Sequence, residues 1–241
     1  MTAVPLPVIL AGGLGTRLGT ICSDRPKPMV EVAGRPFLEH LLCQLATQGF
    51  RQALLLLGYR GDTIRAHFGN GEELGVELVY SQEPEPLGTG GALRLARHLI
   101  PERFLLLYGD LYRNLDYMAL AQRHPGACLG VYPYVAGLHT IACGNVDADL
   151  NAGRVTRYLK NRPEMLLPYV DAGFGLFHRH HLDALPEGKS SFEETLYGRL
   201  AEGGELALEL VDRNFYDIGN PEDLAHTRKA FAAKGDPCAS S

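Results

Sequence analysis

The sequence predicts an α/β fold, a Rossmann-like wound and mostly parallel sheet flanked by helices. Three observations carry that reading. Strand-like and helix-like segments alternate about every 25 residues through the first 110 positions, the pattern of repeated β-α-β units. Ala53–Leu57 and Phe104–Tyr108 are short and apolar throughout, as strands buried on both faces are; a half-exposed strand would alternate with polar residues. The 241 residues are 46% hydrophobic and 21% charged, which suits a folded core that needs no metal or disulfide staple.

The elements follow in order. Val8–Ala11 reads as a buried strand that runs into a glycine-rich turn. Pro36–Gln48 reads as a helix with Leu38, Leu41, Leu42 and Leu45 on one face, Pro36 at its first position and Gly49 at its stop. Strand Ala53–Leu57, helix Gly61–Phe68, strand Val76–Tyr80, helix Gly90–Leu99 and strand Phe104–Tyr108 complete the regular half. The second half is less regular. Ala127–Tyr134, Val155–Leu159 and Phe174–Phe177 read as strands, and Phe192–Glu202 and Pro221–Lys234 as helices. Ser191 and Glu194 have the spacing of a capping box at the first of these helices. No Pro- or Ser-rich linker separates the halves, so residues 1–234 are expected to form a single domain and 235–241 a flexible C-terminal tail.

Composition excludes several classes. A formal charge of −5 argues against a nucleic-acid binder. The apolar runs fall far short of the ~20 residues of a membrane span, and no secretory leader is recognisable, so a cytoplasmic location is expected. Five cysteines without a CxxC pair read as incidental thiols. His178, His180 and His181 lack metal-ligand spacing, and Ser190 and Ser191 lack a nucleophile elbow.

The chemistry concentrates in the run AGGLGTRL, Ala11–Leu18, directly after the first strand. Glycines there let backbone N–H groups approach a ligand, as in loops that hold phosphate. A Walker loop would end in Gly-Lys-Ser/Thr, and a dinucleotide fingerprint would need glycine at Leu18; neither fits. Arg17 adds a cation within the loop. Seven residues after Leu18, Arg25-Pro26-Lys27-Pro28 begins and is expected to hold Lys27 in an extended segment as a point charge for phosphate. Asp110 follows an apolar strand at its carboxyl end, where open α/β sheets bind ligands. Asp217 precedes Asn220-Pro221-Glu222-Asp223, a helix start in its own right, so it reads either as a ligand or as a residue leading into that helix.

AGGLGTRL followed by Pro-Lys-Pro-Met resembles the signature of sugar-1-phosphate nucleotidyltransferases, and the resemblance runs over roughly residues 7 to 231. Glu85-Pro86-Leu87-Gly88-Thr89-Gly90-Gly91-Ala92 is similar to the family's nucleobase loop. Tyr108-Gly109-Asp110 resembles its metal-binding Gly-Asp, and Phe215-Tyr216-Asp217-Ile218-Gly219 the segment with its second metal carboxylate. Lys160 stands where the family has Glu-Lys-Pro, although Leu159 and Asn161 replace the flanking residues. Asp171-Ala172-Gly173 stands at its Asn-Ala-Gly, and Gly144-Asn145-Val146 loosely resembles a segment lining the sugar pocket. Within the family the chain is most like heptose-1-phosphate and mannose-1-phosphate guanylyltransferases, through Arg35-Pro36-Phe37-Leu38, the Pro86–Ala92 loop, Ser191-Phe192-Glu193 and Asp217–Asp223.

The resemblance implies an Mg²⁺-dependent enzyme that joins an NTP, GTP favoured, to a heptose- or mannose-type sugar 1-phosphate and releases pyrophosphate. Arg17, Lys27 and Asp110 would be catalytic. Leu10, Ala11, Gly12, Gly13, Gly15, Thr16, Arg17, Lys27, Glu83, Gly88 and Thr89 would bind the nucleotide. Lys160, Asp171 and Gly144 would bind the sugar phosphate, and Asp110 and Asp217 the metal. UTP- or dTTP-dependent enzymes and non-catalytic regulatory modules share the fold and stand as alternatives. The reading involves neither nucleic acid nor membrane and leaves room for a homo-oligomer.

Overall fold

The computed structural model describes residues 3–13, 15–22, 25–135, 144–160, 162, 164–212 and 215–234; the expected tail at 235–241 lies outside them. Strands β1 (Leu6–Leu10), β2 (Glu31–Val32) and β3 (Arg35–Pro36) lead to helix α1 (Phe37–Thr47). Then come β4 (Gln52–Leu57), α2 (Gly61–Phe68), β5 (Glu77–Gln82), α3 (Gly88–Leu95), β6 (Arg103–Tyr108), β7 (Leu111–Arg113) and α4 (Tyr117–Arg123). The remainder holds β8 (Cys128–Pro133), β9 (Val146–Asp149), β10 (Arg154–Tyr158), β11 (Tyr169–His178), α5 (Gly198–Glu202), β12 (Ala207–Leu210), β13 (Phe215–Asp217) and α6 (Pro221–Lys234). Among the described residues no helix is long and apolar enough to cross a membrane.

The described residues form two compact units. One contains Leu6–Pro86, Leu107–Leu120 and the residues from Phe215 onward; the other contains residues 3–5, Leu87–Leu106 and 121–212. In the first unit β1, β4 and β5 pair in parallel, with Leu54 opposite both Val8 and Val79. Helix α1 lies in the connection from β1 to β4, and α2 in that from β4 to β5, the wound pattern expected of the regular half. Helix α1 buries Phe37, Leu38, Leu41, Leu42 and Leu45, the stripe that a period of 3.6 places on one face. At the carboxyl ends, Ala11 N–H donates to Leu56 O, Glu83 N–H to Leu57 O and Gly109 N–H to Leu10 O, each at 2.9 Å. The chain therefore leaves these strands at one level, where the ligand crevice of an α/β sheet lies.

The second unit pairs differently. Strand β8 runs antiparallel to β11 and parallel to β12, and β10 runs antiparallel to both β12 and β9. Its core is aromatic: Phe177 stacks on Tyr197 at 5.4 Å between ring centroids and meets Phe192 edge-on at 5.0 Å.

Several boundaries differ from expectation. Pro36 is the cap residue before α1, with φ −53° and ψ 139°, because it also pairs in the short β2–β3 hairpin. The helix expected to end at Leu99 stops at Leu95, and a separate 3-10 turn covers Arg97–Leu99. The helix expected from Phe192 starts with a π turn at Glu193–Tyr197 before α5. Ser191 Oγ accepts the Glu194 N–H at 3.2 Å, the forward half of the expected capping box. Strand β11 begins at Tyr169, well before Phe174, and β7, β9, β12 and β13 were not foreseen. Cys43 is disulfide-bonded, which corrects its reading as an incidental thiol.

Three glycines near the start of α3 are required by packing. A Cβ on Gly88, Gly90 or Gly91 would stand 2.5 Å from Ser190 O, Ser190 Oγ or Gly188 O respectively. Gly90 N–H donates to Ser190 O, and Ser190 N–H to Leu87 O, both at 2.9 Å, so the two segments are stitched backbone to backbone. Gly91→Ala is expected to destabilise the protein by about 1–3 kcal/mol through overpacking against a carbonyl that cannot swing away. Gly126→Ala, with no atom within 4 Å of its added Cβ, is expected to stay within about 0.5 kcal/mol of wild type; denaturant midpoints compare the two.

Candidate active site

The first unit gathers most of the residues singled out in the sequence. Beyond β1, Gly12 crosses the tip of the β4–α2 connection. A Cβ on Gly12 would meet Gly58 N at 3.0 Å and Glu83 Oε1 at 3.2 Å, and one on Gly58 would meet Glu83 Oε1 at 2.5 Å. The half-buried Glu83 carboxylate thus packs on the Gly12–Gly58 seam at the end of β5. Gly13 has open space where a side chain would be, and Gly15 adopts φ +65°. That left-handed turn sends the chain into a 3-10 segment, Thr16–Cys22, on which Arg17 is exposed and Leu18 buried.

Lys27 is not extended as expected. It opens a 3-10 turn, Lys27–Met29, in which Pro28 takes an early position whose missing N–H costs nothing. The lysine is only 6% exposed. A Cβ on Gly15 would stand 3.2 Å from Lys27 Cβ, so the glycine turn roofs its stem. Its ammonium donates to Asp110 Oδ2 at 2.5 Å. Asp110 is half-buried, so only the lysine end of the pair is shut off from water, and loss of Asp110 would leave the Lys27 charge in a poor medium.

Asp217 reaches the same corner through backbone pairing. Strand β13 runs antiparallel to β7, with Asp217 opposite Leu111, and Ile218 N–H donates to Asp110 O at 3.2 Å. Asp217 Oδ1 accepts the Gly219 N–H at 2.6 Å, while Thr227 Oγ1 donates to its carbonyl at 2.7 Å. Helix α6 has its own cap: Asn220 Oδ1 accepts the N–H groups of Glu222 and Asp223, both at 3.0 Å. Asp217 is therefore not needed as a cap. Burial pushes its carboxyl up to about 6; the Gly219 N–H opposes this, Asp223 and Asp110 add to it, and Lys27 opposes.

Beneath these groups lies one apolar cluster of Leu18, Cys22, Val30, Val32, Phe37, Tyr112, Ile218, Leu224 and Phe231. Arg17, Lys27, Asp110 and Asp217 each lie within three residues of a member, so packing of the cluster sets their positions. Two carboxylates carrying excess negative charge are hard oxygen donors that fit Mg²⁺. Among the described residues no group of three or more His, Cys, Asp or Glu could hold a metal ion, so such an ion would complete its shell with phosphate oxygens and water. Glycine-loop amides, a lysine and two carboxylates on one corner suit an oxyanion that travels with a divalent cation.

The second unit holds the other candidates. Lys160 Nζ donates to Glu193 Oε2 at 2.9 Å and to Ser191 Oγ at 3.0 Å. Thr89 Oγ1 donates to the same Glu193 oxygen at 2.7 Å. Asp171 N–H donates to Asn145 Oδ1 at 2.9 Å, and Asp171 accepts the Gly173 N–H at 2.8 Å and the Tyr158 hydroxyl at 3.2 Å. Burial, then Asp171 and Glu193, drive the Tyr158 hydroxyl far above its ordinary range, so it stays a donor. A Cβ on Gly144 would fall 1.8 Å from Leu167 O, which makes that glycine a packing requirement. Thr89 and Lys160, expected on different substrates, thus share one partner. Glu193 enters the sequence reading only within Ser191-Phe192-Glu193, and the mixed segment Phe192-Glu193-Glu194-Thr195-Leu196 carries no local signal that it is buried.

The family model described as nucleotidyl transferase matches residues 6–234. A D-glycero-alpha-D-manno-heptose 1-phosphate guanylyltransferase of Campylobacter jejuni is 33% identical over 222 residues, covering 91% of this chain and 96% of that protein. A mannose-1-phosphate guanylyltransferase of Mycobacterium tuberculosis is 31% identical over 224 residues, covering 90% of this chain and 62% of that protein. The chain thus spans about three fifths of the length of that relative. The crystal structure of HddC from Yersinia pseudotuberculosis complexed with GMP-PN superposes with a TM-score of 0.79 at 28% identity, covering 95% of this chain and all of that one.

Asp217 yields a pH prediction. Its folded-state carboxyl at about 6 lies above the unfolded value of 3.8, so the folded state binds more protons between these values and stability falls as pH rises through that window. In the absence of divalent cations, Asp217→Asn is expected to raise Tm at pH 8 by a few degrees and to have little effect near pH 4. Thermal melts at the two pH values check this; a lower Tm for the variant at pH 8 contradicts it.

Proposed function

The chain belongs to the nucleotidyl transferase family, and from that premise we propose that it transfers a nucleotidyl group from an NTP to a sugar 1-phosphate. The products are an NDP-sugar and pyrophosphate. The observation that carries the reading is the pair of the buried Lys27 with the half-buried Asp110, with Asp217 on the adjoining ladder, at the mouth of the glycine loop. The group is built for a polyphosphate.

A phosphate oxygen of the sugar 1-phosphate attacks the α-phosphorus in line, and the bond to the bridging oxygen breaks as pyrophosphate leaves. The chain's task is then positioning and charge neutralisation rather than covalent catalysis. Loop amides at Ala11–Thr16 and the Arg17 guanidinium hold the triphosphate tail. Lys27, fixed by Asp110 and roofed by Gly15, neutralises charge at the α-phosphate. Asp110 and Asp217 would hold Mg²⁺, which would supply Lewis-acid polarisation of phosphate oxygens. Gly88 and Thr89 contact the nucleotide, Lys160 takes the phosphate of the sugar, and Asp171 and Gly144 line the sugar pocket.

GTP is the favoured nucleotide and a heptose- or mannose-type phosphate the favoured acceptor. The names of the relatives support both, and the Glu83 carboxylate at the loop supports the first. Guanine offers N1–H and its 2-amino group side by side, which a carboxylate accepts together, whereas uracil and thymine offer one N–H between two carbonyls.

Pyrophosphate release across GTP, ATP, UTP, CTP and dTTP with a panel of sugar 1-phosphates tests the reading. GTP with a mannose- or heptose-type phosphate should give the highest kcat/KM, and no release with any pair overturns the function. Asp110→Asn is expected to cost about a hundredfold or more in kcat, the scale of one lost transition-state charge contact. Near-normal turnover would remove Asp110 from the machinery. Glu83→Gln should lower kcat/KM for GTP by about tenfold and narrow the GTP-to-UTP ratio, the scale of one charge-assisted hydrogen bond lost. An unchanged ratio would show that backbone groups read the base.

A further inference from the structure

Glu193 is 3% exposed, and a carboxylate so buried needs donors or a counter-charge. A single oxygen, Oε2, receives three donors: the Ser191 hydroxyl at 2.6 Å, the Thr89 hydroxyl at 2.7 Å and the Lys160 ammonium at 2.9 Å. They come from the start of α3, from the segment after β10 and from the residues leading into the π turn.

Each donor is also held from a second side. The Thr89 hydroxyl accepts the Phe192 N–H at 2.9 Å, which leaves its own proton for Glu193. Ser191 Oγ accepts the Glu194 N–H at 3.2 Å and a second hydrogen bond from Lys160 at 3.0 Å. Two of the three ammonium donors of Lys160 are thus directed inward, while its side chain stays 32% exposed. A glutamate that served only to anchor the π turn would be satisfied by the hydroxyls and backbone. It would not need a lysine with one face open to solvent.

We infer that Glu193 is a positioning residue that aims the ammonium of Lys160 and fixes Thr89, so that the contacts to both substrates are set by one carboxylate. The inference rests on the proposed reaction, in which Thr89 meets the nucleotide and Lys160 the sugar phosphate. Ordering of Thr89 by a bound nucleotide steadies Glu193 and with it Lys160, so each substrate tightens the binding of the other, and linkage makes the effect reciprocal. The π turn at Glu193–Tyr197 serves this arrangement, since such turns re-aim side chains at functional sites.

The test is a double-mutant cycle with the NTP and sugar 1-phosphate pair of highest kcat/KM. Glu193→Gln preserves shape and removes the charge. It should raise KM for the sugar phosphate by about tenfold or more while kcat changes by less than about threefold. In the Lys160→Ala background the same change should alter that KM by less than about twofold, because its route of action is gone. Equal fold-changes in both backgrounds, or a fall in kcat at constant KM, overturn the role. Should Glu193→Gln fail to fold, Ser191→Ala leaves the ion pair and removes one anchor of Lys160. It should raise the sugar-phosphate KM by about threefold, and no change overturns the inference. Wild type inactive with every pair refutes the reaction and this role together; active wild type with an additive cycle refutes this role alone.

Discussion

A lysine ammonium with almost no exposed surface has to be met by negative charge, and Asp110 meets that of Lys27 at 2.5 Å. Much of the first unit follows from bringing those two groups together. Lys27 is buried because Gly15 turns left-handed over its stem, and a side chain there would meet both Lys27 and Cys22. Asp110 is placed by the end of β6 and by Gly109, whose N–H closes on Leu10. The pair leaves one carboxylate unbalanced: Asp217, half-buried and brought alongside by the β7–β13 ladder, has its carboxyl raised to about 6 by loss of water and then by the nearby Asp223 and Asp110. That imbalance is a property of an arrangement suited to a cation, with the apolar cluster around Phe37 and Ile218 holding it in place.

The second unit solves a related problem by other means. Glu193 is as buried as Lys27, and it is balanced by one lysine and two hydroxyls that converge on a single oxygen. Space for this is made by glycines at 88, 90 and 91, against which Gly188 and Ser190 pass too closely for side chains. The glycine-rich sequence there is thus explained by backbone packing, whereas Gly13 in the first unit faces open space.

What could be read in advance followed element length and locality. Helix α2 and helix α6 have the bounds that period and capping indicated, and β4 and β6 stood out through the apolar runs Ala53–Leu57 and Phe104–Tyr108. The three-residue strands β7 and β13 are too short to carry a period, and their pairing is a tertiary fact, so the meeting of Asp110 and Asp217 was beyond spacing arguments. Lys27 was recognised as a candidate while its conformation was misjudged: the proline rule favours extended backbone, and the 3-10 turn overrode it once Pro28 could sit where no N–H is needed. Glu193 escaped notice as a partner of Lys160 because the three segments that meet there are remote in sequence and share no motif.

The β7–β13 ladder also bears on how the protein is made. Asp110 and Asp217 are separated by about 100 residues, so on a ribosome adding about 5–20 residues per second the glycine loop, Lys27 and Asp110 emerge several seconds or more before their last companion. During that interval the nascent chain carries a lysine and a carboxylate that can find one another, but not the second carboxylate. The corner is completed only when β13 adds to β7, so its assembly waits on a strand about 100 residues further along the chain.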